Sequence, residues 1–415
     1  MGVSASERTD VLIVGAGPAG SCLGMLLAKG GYRTTILECR PRGYHKVCGD
    51  LLGPRSLGLL QSFGVGWRND GPRGHGIRGI LIHDEKGLKS SAWLDGETPW
   101  ATTVRRDLFD SFVQARSEAA GCAIEYGVRF KDIKDSKGDG IVCEAATLEG
   151  SRVFETRVLV GADGFPSQVA KSAGLDGGGA ATGILAVRGY YRGLEGLRDA
   201  VELYFLPRLF PGYAWVIPLG PDLANVGVGV RADACLQYRI RLAVELKRFL
   251  REHPCLARRA RHAEPVGPLQ GAAIGTYARR ARRWRSRILL VGDAGRCADP
   301  LSGEGVFGAL LSARLAGSAI EDTLRGTGGT ENPLSRYGDR CARIFGKAYR
   351  YANFLTSLPM RKGLGRSIVT WGLGRIEANC LLDSQYAIMV AGFFTGAMPR
   401  SRIWGNGWFW RTLLK

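Results

Sequence analysis

Acidic side chains, histidine and paired cysteines are all in short supply in this chain of 415 residues. There are 38 Asp and Glu against 57 Lys and Arg, a net charge of +19. That excess implies an anionic partner or surface, such as a phosphate-bearing ligand, an acidic lipid or nucleic acid. The five histidines are dispersed and form no metal-ligand cluster, so no metal is expected. Ten cysteines run from Cys22 to Cys380 without a C-x-x-C pair. This speaks against a disulfide framework or zinc site and for free thiols in a reducing, cytoplasmic setting. Helix-turn-helix and zinc-finger spacings are missing too, so no nucleic-acid partner is expected. Val11–Ala28 carries no charge over eighteen residues, but it holds four glycines and a proline and follows no positive segment. It reads as neither a membrane span nor a signal peptide.

Glycine is abundant instead, with 60 copies, against an average usage of about 7%. The stretch that organises the chain is Val11–Arg40. An apolar run, Val11–Val14, reads as a buried parallel strand, and Gly15, Gly17 and Gly20 follow in G-x-G-x-x-G spacing. Gly15 allows a tight turn, Gly17 lets a pyrophosphate approach the backbone, and Gly20 allows close helix–strand packing. Ala19 sits inside this turn and Arg40 just beyond the unit, and both join the candidate cofactor contacts. A second apolar strand, Thr34–Leu37, ends in Glu38, a carboxylate placed to bind ribose hydroxyls without a 2′-phosphate. Strand, turn, helix, strand and Glu together predict dinucleotide binding.

Further along, Lys46-Val47-Cys48-Gly49-Asp50 lies in a loop on the cofactor side of this unit. The pattern predicts a helix over Leu51–Phe63, a Gly-rich loop over Gly71–Gly79 and a hairpin over Ile80–Trp93 turning at Glu85–Gly87. Thr103–Ala120 reads as an amphipathic helix with Leu108, Phe112 and Ala115 on one face. Arg106, near its start, fits either a cofactor phosphate or a solvated helix end. Val158–Val160 runs into an Asp163-Gly164 turn, and strand-like stretches over Thr182–Val230 predict a second sheet. Tyr238–Ala257 reads as one basic helix. Six arginines crowd Arg279–Arg287, fitting an anion-binding surface or a solvated loop. The last unit is helical and basic, and its end mixes Trp404, Trp408 and Trp410 with cations. Such a mixture suits peripheral contact with a membrane surface or packing on the protein itself.

Three segments together resemble the flavoprotein group of aromatic hydroxylases, flavin halogenases and geranylgeranyl reductases. They are GAGPAG at Gly15–Gly20, GADG at Gly161–Gly164 and GDAG…DPLSGEG at Gly292–Gly305. The resemblance implies FAD, with Asp163 supporting the pyrophosphate region, Asp293 reaching the ribityl chain, and Pro300, Gly303, Gly305 and Val306 opening a helix toward the flavin ring. Arg106 matches the arginine of the group's Arg-x-x-Phe-Asp segment, which the resemblance assigns to FAD. Ala170 departs from the group, which often has an arginine there. The implied fold is α/β, with a Rossmann-like FAD-binding domain in discontinuous segments (1–75, 103–175, 269–326), a mainly antiparallel substrate domain (76–102, 176–268) and a C-terminal helical unit (327–415).

The Lys-x-Cys-Gly segment at Lys46–Gly49 and Tyr213-Ala214-Trp215-Val216-Ile217-Pro218 are similar to segments of the prenyl-chain reductases within that group. Tyr213 and Trp215 share one face of a strand by alternation. The resemblance implies reduction of carbon–carbon double bonds in a prenyl lipid or prenyl diphosphate, with FAD reduced by NADH, NADPH or a ferredoxin-like donor. Cys48, Tyr213 and Trp215 are then the candidate catalytic residues and Cys48 and Gly49 also line the cofactor. Cys48 either relays a proton or shapes the pocket. The other reading is an FAD-dependent monooxygenase or halogenase acting on an aromatic or polyketide, for which Lys46 would be the halide-carrying lysine.

Overall fold

The computed structural model describes residues 6–44, 46–93, 99–135, 140–177, 183–327 and 332–357. Its largest sheet has eight strands: β1 (Glu7–Val14), β2 (Thr34–Glu38), β8 (Ala123–Tyr126), β9 (Arg129–Asp135), β10 (Ile141–Thr147), β11 (Gly150–Gly161), β17 (Trp284–Arg285) and β18 (Ile288–Leu290). The order is β17-β18-β11-β1-β2-β8, with β10 and β9 folded back antiparallel on β11. β18, β11, β1, β2 and β8 are mutually parallel. Parallel strands need covering on both faces, which is why Val11–Ile13 and Val158–Val160 are all fully buried.

The described residues also form ten α-helices: α1 (Pro18–Lys29), α2 (Pro54–Ser62), α3 (Trp67–Asp70), α4 (Arg106–Ala119), α5 (Gln168–Ser172), α6 (Ala232–Gln237), α7 (Leu242–Glu252), α8 (Pro254–Ala257), α9 (Val306–Arg325) and α10 (Pro333–Ser357). The core of one sheet face joins α1, α4, α9 and α10. α1 and α9 approach closely because Gly317 carries no side chain, and a Cβ there would lie 2.2 Å from Leu26.

The second sheet has seven strands in the order β16-β12-β15-β14-β13-β5-β6. They are β5 (Gly79–His83), β6 (Leu88–Trp93), β12 (Ile184–Arg192), β13 (Ala200–Tyr204), β14 (Gly212–Pro218), β15 (Leu223–Arg231) and β16 (Glu264–Ile274). All its pairings are antiparallel except β13 with β5. β16 continues to Ile274, so the second sheet extends past the expected division at 268. A third, small sheet of β3 (Leu51–Leu52), β7 (Ala101–Thr103) and β4 (His75–Ile77) joins the two. The α/β class and the two-sheet plan are thus as the sequence implies.

Four local expectations are corrected. Leu51–Leu52 pairs as a strand before the helix starts at Pro54, a favoured first helical residue. The Gly71–Gly79 stretch contains β4. On α4 the inward face is Phe109, Val113 and Ser117, while Leu108 is 49% exposed and Ala115 also faces solvent. Tyr238–Ala257 is broken, because Arg239 adopts φ 52° and His253 ends one helix and caps the next. The tryptophan-rich tail lies outside the described residues, and among those described no helix is long and apolar enough to cross a membrane.

Candidate active site

The glycine turn joins β1 to α1. Gly15 has φ +104°, and a Cβ there would fall 2.5 Å from the Ala162 carbonyl oxygen of the neighbouring strand end. Gly20 packs so closely that a Cβ would meet the Gly15 oxygen at 1.9 Å. Gly17 is different. Nothing lies within 4 Å of its Cβ position, and α1 has neither a side-chain cap nor an acidic residue in its first turn. An uncapped helix start beside open backbone fits a pyrophosphate. Glu38 closes β2 and accepts from the Ala16 N–H at 2.8 Å and the Arg40 N–H at 2.9 Å, which brings its carboxylate to this turn. Arg40 itself is exposed and lies over the Tyr44 ring. Ala19 is buried against Gly292, where the loop to α9 begins.

That loop supplies the other side. Asp293 faces Lys46 Nζ at 3.4 Å and lies beside Gly305. Pro300, Gly303, Gly305 and Val306 line a cavity of about 1020 Å³, counting its open part. The same cavity is lined by Cys48 and Gly49 with Tyr213, Trp215 and Ile217 of β14. The sequence-predicted thiol loop, aromatic strand and helix-opening loop therefore meet in one space. Its remaining walls are chiefly apolar, among them Ile184, Leu203 and Ile274.

Two expected cofactor contacts also have partners within the protein. Asp163 accepts from the Ser167 hydroxyl at 2.6 Å and the Gln168 and Val169 N–H groups at 2.7 and 3.2 Å, so it caps α5. Burial pushes its carboxyl up. Arg106 is buried, and its guanidinium makes a bidentate pair with Asp110 at 2.9 and 2.8 Å and contacts the Cys48 side chain. Its charge is matched within the protein and directed at the thiol loop. Ala170, where the group often has arginine, is buried in the core.

Sequence reasoning missed the residues that hold the aromatic wall. Asn225 on β15 accepts from Trp215 Nε1 at 2.9 Å and donates to the Cys48 carbonyl at 2.7 Å and to Asp50 Oδ2 at 2.8 Å. Tyr190 donates to the same Asp50 oxygen at 2.6 Å, and the Arg106 N–H donates to the other. One buried network thus ties the thiol loop to the indole. Gly227 and Gly229, two and four residues beyond Asn225, share its strand face. A Cβ at Gly227 would lie 2.2 Å from Trp215 Cζ2, so the indole occupies the space a side chain would fill. Tyr213 packs 6.0 Å from Trp215, ring to ring, and donates to the Ser302 carbonyl. The visible signal was Asn-x-Gly-x-Gly inside an apolar strand, since glycine there marks a close approach.

Glu304, also unforeseen, lines the cavity. Its Oε1 accepts from the Phe307 N–H at 2.7 Å and the Ser56 hydroxyl at 3.2 Å. Burial raises its pKa from 4.5 to about 7. Between those values the folded protein keeps a proton that the unfolded chain has released. Glu304 therefore favours folding least above pH 7, and stability is lost as pH rises from 4.5 through 7. Glu304→Gln removes this titration. The melting temperature of the FAD-loaded variant is expected to fall less than the parent's between pH 5 and pH 8; parallel curves would refute the assignment.

An uncapped phosphate-binding turn, an α9 loop and a shared apolar cavity define a flavoprotein oxidoreductase. The chain belongs to the FAD binding domain family, which matches residues 8–352. It is 28% identical over 352 residues to digeranylgeranylglycerophospholipid reductase 2 of Methanopyrus kandleri, covering 83% of this chain and 84% of that protein. It is also 28% identical to the menaquinone reductase of Mycolicibacterium smegmatis, covering 85% of each. A geranylgeranyl bacteriochlorophyll reductase-like protein of Thermoplasma acidophilum shares the fold at a TM-score of 0.69 and 21% identity, over 94% of this chain and 92% of that one. A flavin-dependent brominase shares it too, at 0.69 and 20%, over 85% and 88%.

Proposed function

We propose that this enzyme reduces carbon–carbon double bonds in the isoprenoid chain of a prenyl lipid or prenyl diphosphate. The observation that carries the reading is the apolar cavity that Cys48, Tyr213 and Trp215 line together with the Pro300–Val306 loop. Bound FAD, reduced by NADH, NADPH or a ferredoxin-like donor, supplies hydride chemistry there. An isolated alkene has no activating carbonyl, so its rate depends on being held in line and kept dry. Tyr213 and Trp215, their rings tilted 58° to each other, offer an aromatic wall to a flexible chain. Ile184, Leu203 and Ile274 exclude water along it. Glu304, raised to about 7, keeps a proton on a sizeable fraction of molecules at neutral pH within the same cavity, and Cys48 sits beside the Arg106 guanidinium, which gives the second alkene carbon two candidate proton sources.

The name of the Methanopyrus kandleri relative supports a prenyl-lipid substrate. A halogenase needs a lysine aimed into the cavity, whereas Lys46 reaches for Asp293 and is not among the lining residues; a monooxygenase is separated by its need for O₂. Mass spectrometry of a prenyl lipid after anaerobic incubation with the reduced enzyme tests the proposal. The product is expected to gain two hydrogens per event; a product that forms only with O₂, or that carries added oxygen or halide, overturns it.

A further inference from the structure

α10 is amphipathic in an uneven way. Its inward face is Leu334, Tyr337, Cys341, Phe345, Tyr349 and Ala352, all buried. They seat the helix on the segment 277–287: Trp284 lies against Gly338, Tyr277 packs on Phe345 and Tyr349, and Asn353 donates to the Tyr277 carbonyl at 3.1 Å. The outward face carries Arg336, Arg340, Arg343, Lys347 and Arg350, spaced four and three residues apart and all exposed. Such spacing makes one stripe. The segment beneath adds the exposed Arg279, Arg280, Arg282 and Arg285. Across 277–287 and 333–357 the sole acid is Asp339.

Some exposed arginines elsewhere are paired, as in Arg8 with Glu155 and Arg248 with Glu252, but the unpaired ones are not gathered on one helix face and the segment beneath it. Here Arg340, Arg343, Lys347 and the four exposed arginines of the segment have no carboxylate in ion-pair range among the described residues. Like charges gathered this way repel one another unless an anionic surface meets them. The patch also adjoins the cavity. Thr356 at the end of α10 accepts from Arg231, a cavity-lining residue, at 3.2 Å. Ile274, another lining residue, precedes Arg279 by five residues, roughly 17 Å at full extension.

We infer that the α10 stripe and the arginine segment form a docking platform for an anionic lipid bilayer, laying the end of the cavity near Arg231 against the headgroups. The reason a bilayer should be needed rests on the prenyl-lipid reading; the binding itself does not. Each cation at an anionic leaflet strengthens partitioning about fivefold, and salt weakens it.

The FAD-loaded enzyme is sedimented with vesicles of phosphatidylglycerol and phosphatidylcholine, and with phosphatidylcholine alone, no prenyl lipid being present. It is expected to pellet with the first and not the second. The variant Arg340→Gln/Arg343→Gln/Lys347→Gln, which touches no cavity residue, should bind anionic vesicles about a hundredfold more weakly with unchanged FAD content. Full binding by the triple variant overturns the proposal, as does equal binding to neutral vesicles. Tighter binding to soluble polyglutamate than to anionic vesicles overturns it in favour of an acidic protein partner. Vesicle binding here, together with no alkene reduction in the anaerobic prenyl-lipid assay, would leave the platform standing and remove the substrate reading, so the two can fail separately.

Discussion

Gly227→Ala is expected to abolish most turnover, by about a hundredfold or more, while FAD content stays at the parent level. The added methyl would sit 2.2 Å from Trp215 Cζ2 and 2.8 Å from Arg188 Cβ. Arg188 is itself buried beneath the Tyr190 ring, so neither neighbour yields cheaply. The indole must lift, which strains its bond to Asn225 and narrows the cavity. Misplacing a positioning group by about 1 Å can cost on the order of a hundredfold in rate. Gly229→Ala is the matched control, because its methyl would meet the same ring at 3.4 Å, an ordinary contact, and should leave most activity. Equal effects of the two substitutions on steady-state rate would show that the Trp215 cradle is not what positions the substrate.

Arg106→Leu is expected to destabilise the fold by about 3–5 kcal/mol, because Asp110 is then left charged and buried without its partner. Arg106 and Asp110 are 4% and 6% exposed, so water replaces little of the lost bidentate contact. The double variant Arg106→Leu/Asp110→Leu should recover most of the stability, since removing both charges leaves no orphan. Chemical denaturation of the FAD-loaded proteins measures both. If Arg106 instead served the cofactor's phosphates, the single variant would keep its stability and lose FAD, and the double variant would be no better.

These two cases also mark what could be read from the residues alone. The glycine turn was legible because strand, turn, helix and Glu38 are contiguous, and Gly15 and Gly20 answer to local steric needs. Cys48, Tyr213 and Trp215 were legible through short segments, and folding brings them to one cavity. Asn225 and Gly227 were not, because their role depends on the register of β14 against β15, which places Gly227 opposite Trp215. Arg106 looked free at a helix start because Asp110, one turn on, could equally have faced solvent. The choice of Leu108 for the inner face of α4 failed for a related reason. Phe109 and Val113 make an equally good apolar face and are the fully buried ones, while Trp67 packs edge-on against both Phe109 and Phe112. Glu304 was hidden because its raised pKa comes from enclosure by α2 and α9, elements some 250 residues apart in sequence.

The central claim is that an alkene chain, held between the aromatic wall and the α9 loop, accepts reducing equivalents from the enzyme without oxygen. Anaerobic stopped-flow absorbance of the photoreduced FAD-loaded enzyme, mixed with a prenyl lipid, tests it most directly. The account predicts that flavin absorbance returns to the oxidised form, one equivalent per double bond saturated, and that Gly227→Ala slows this return about a hundredfold. A flavin that stays reduced with every prenyl substrate until O₂ is admitted would contradict it.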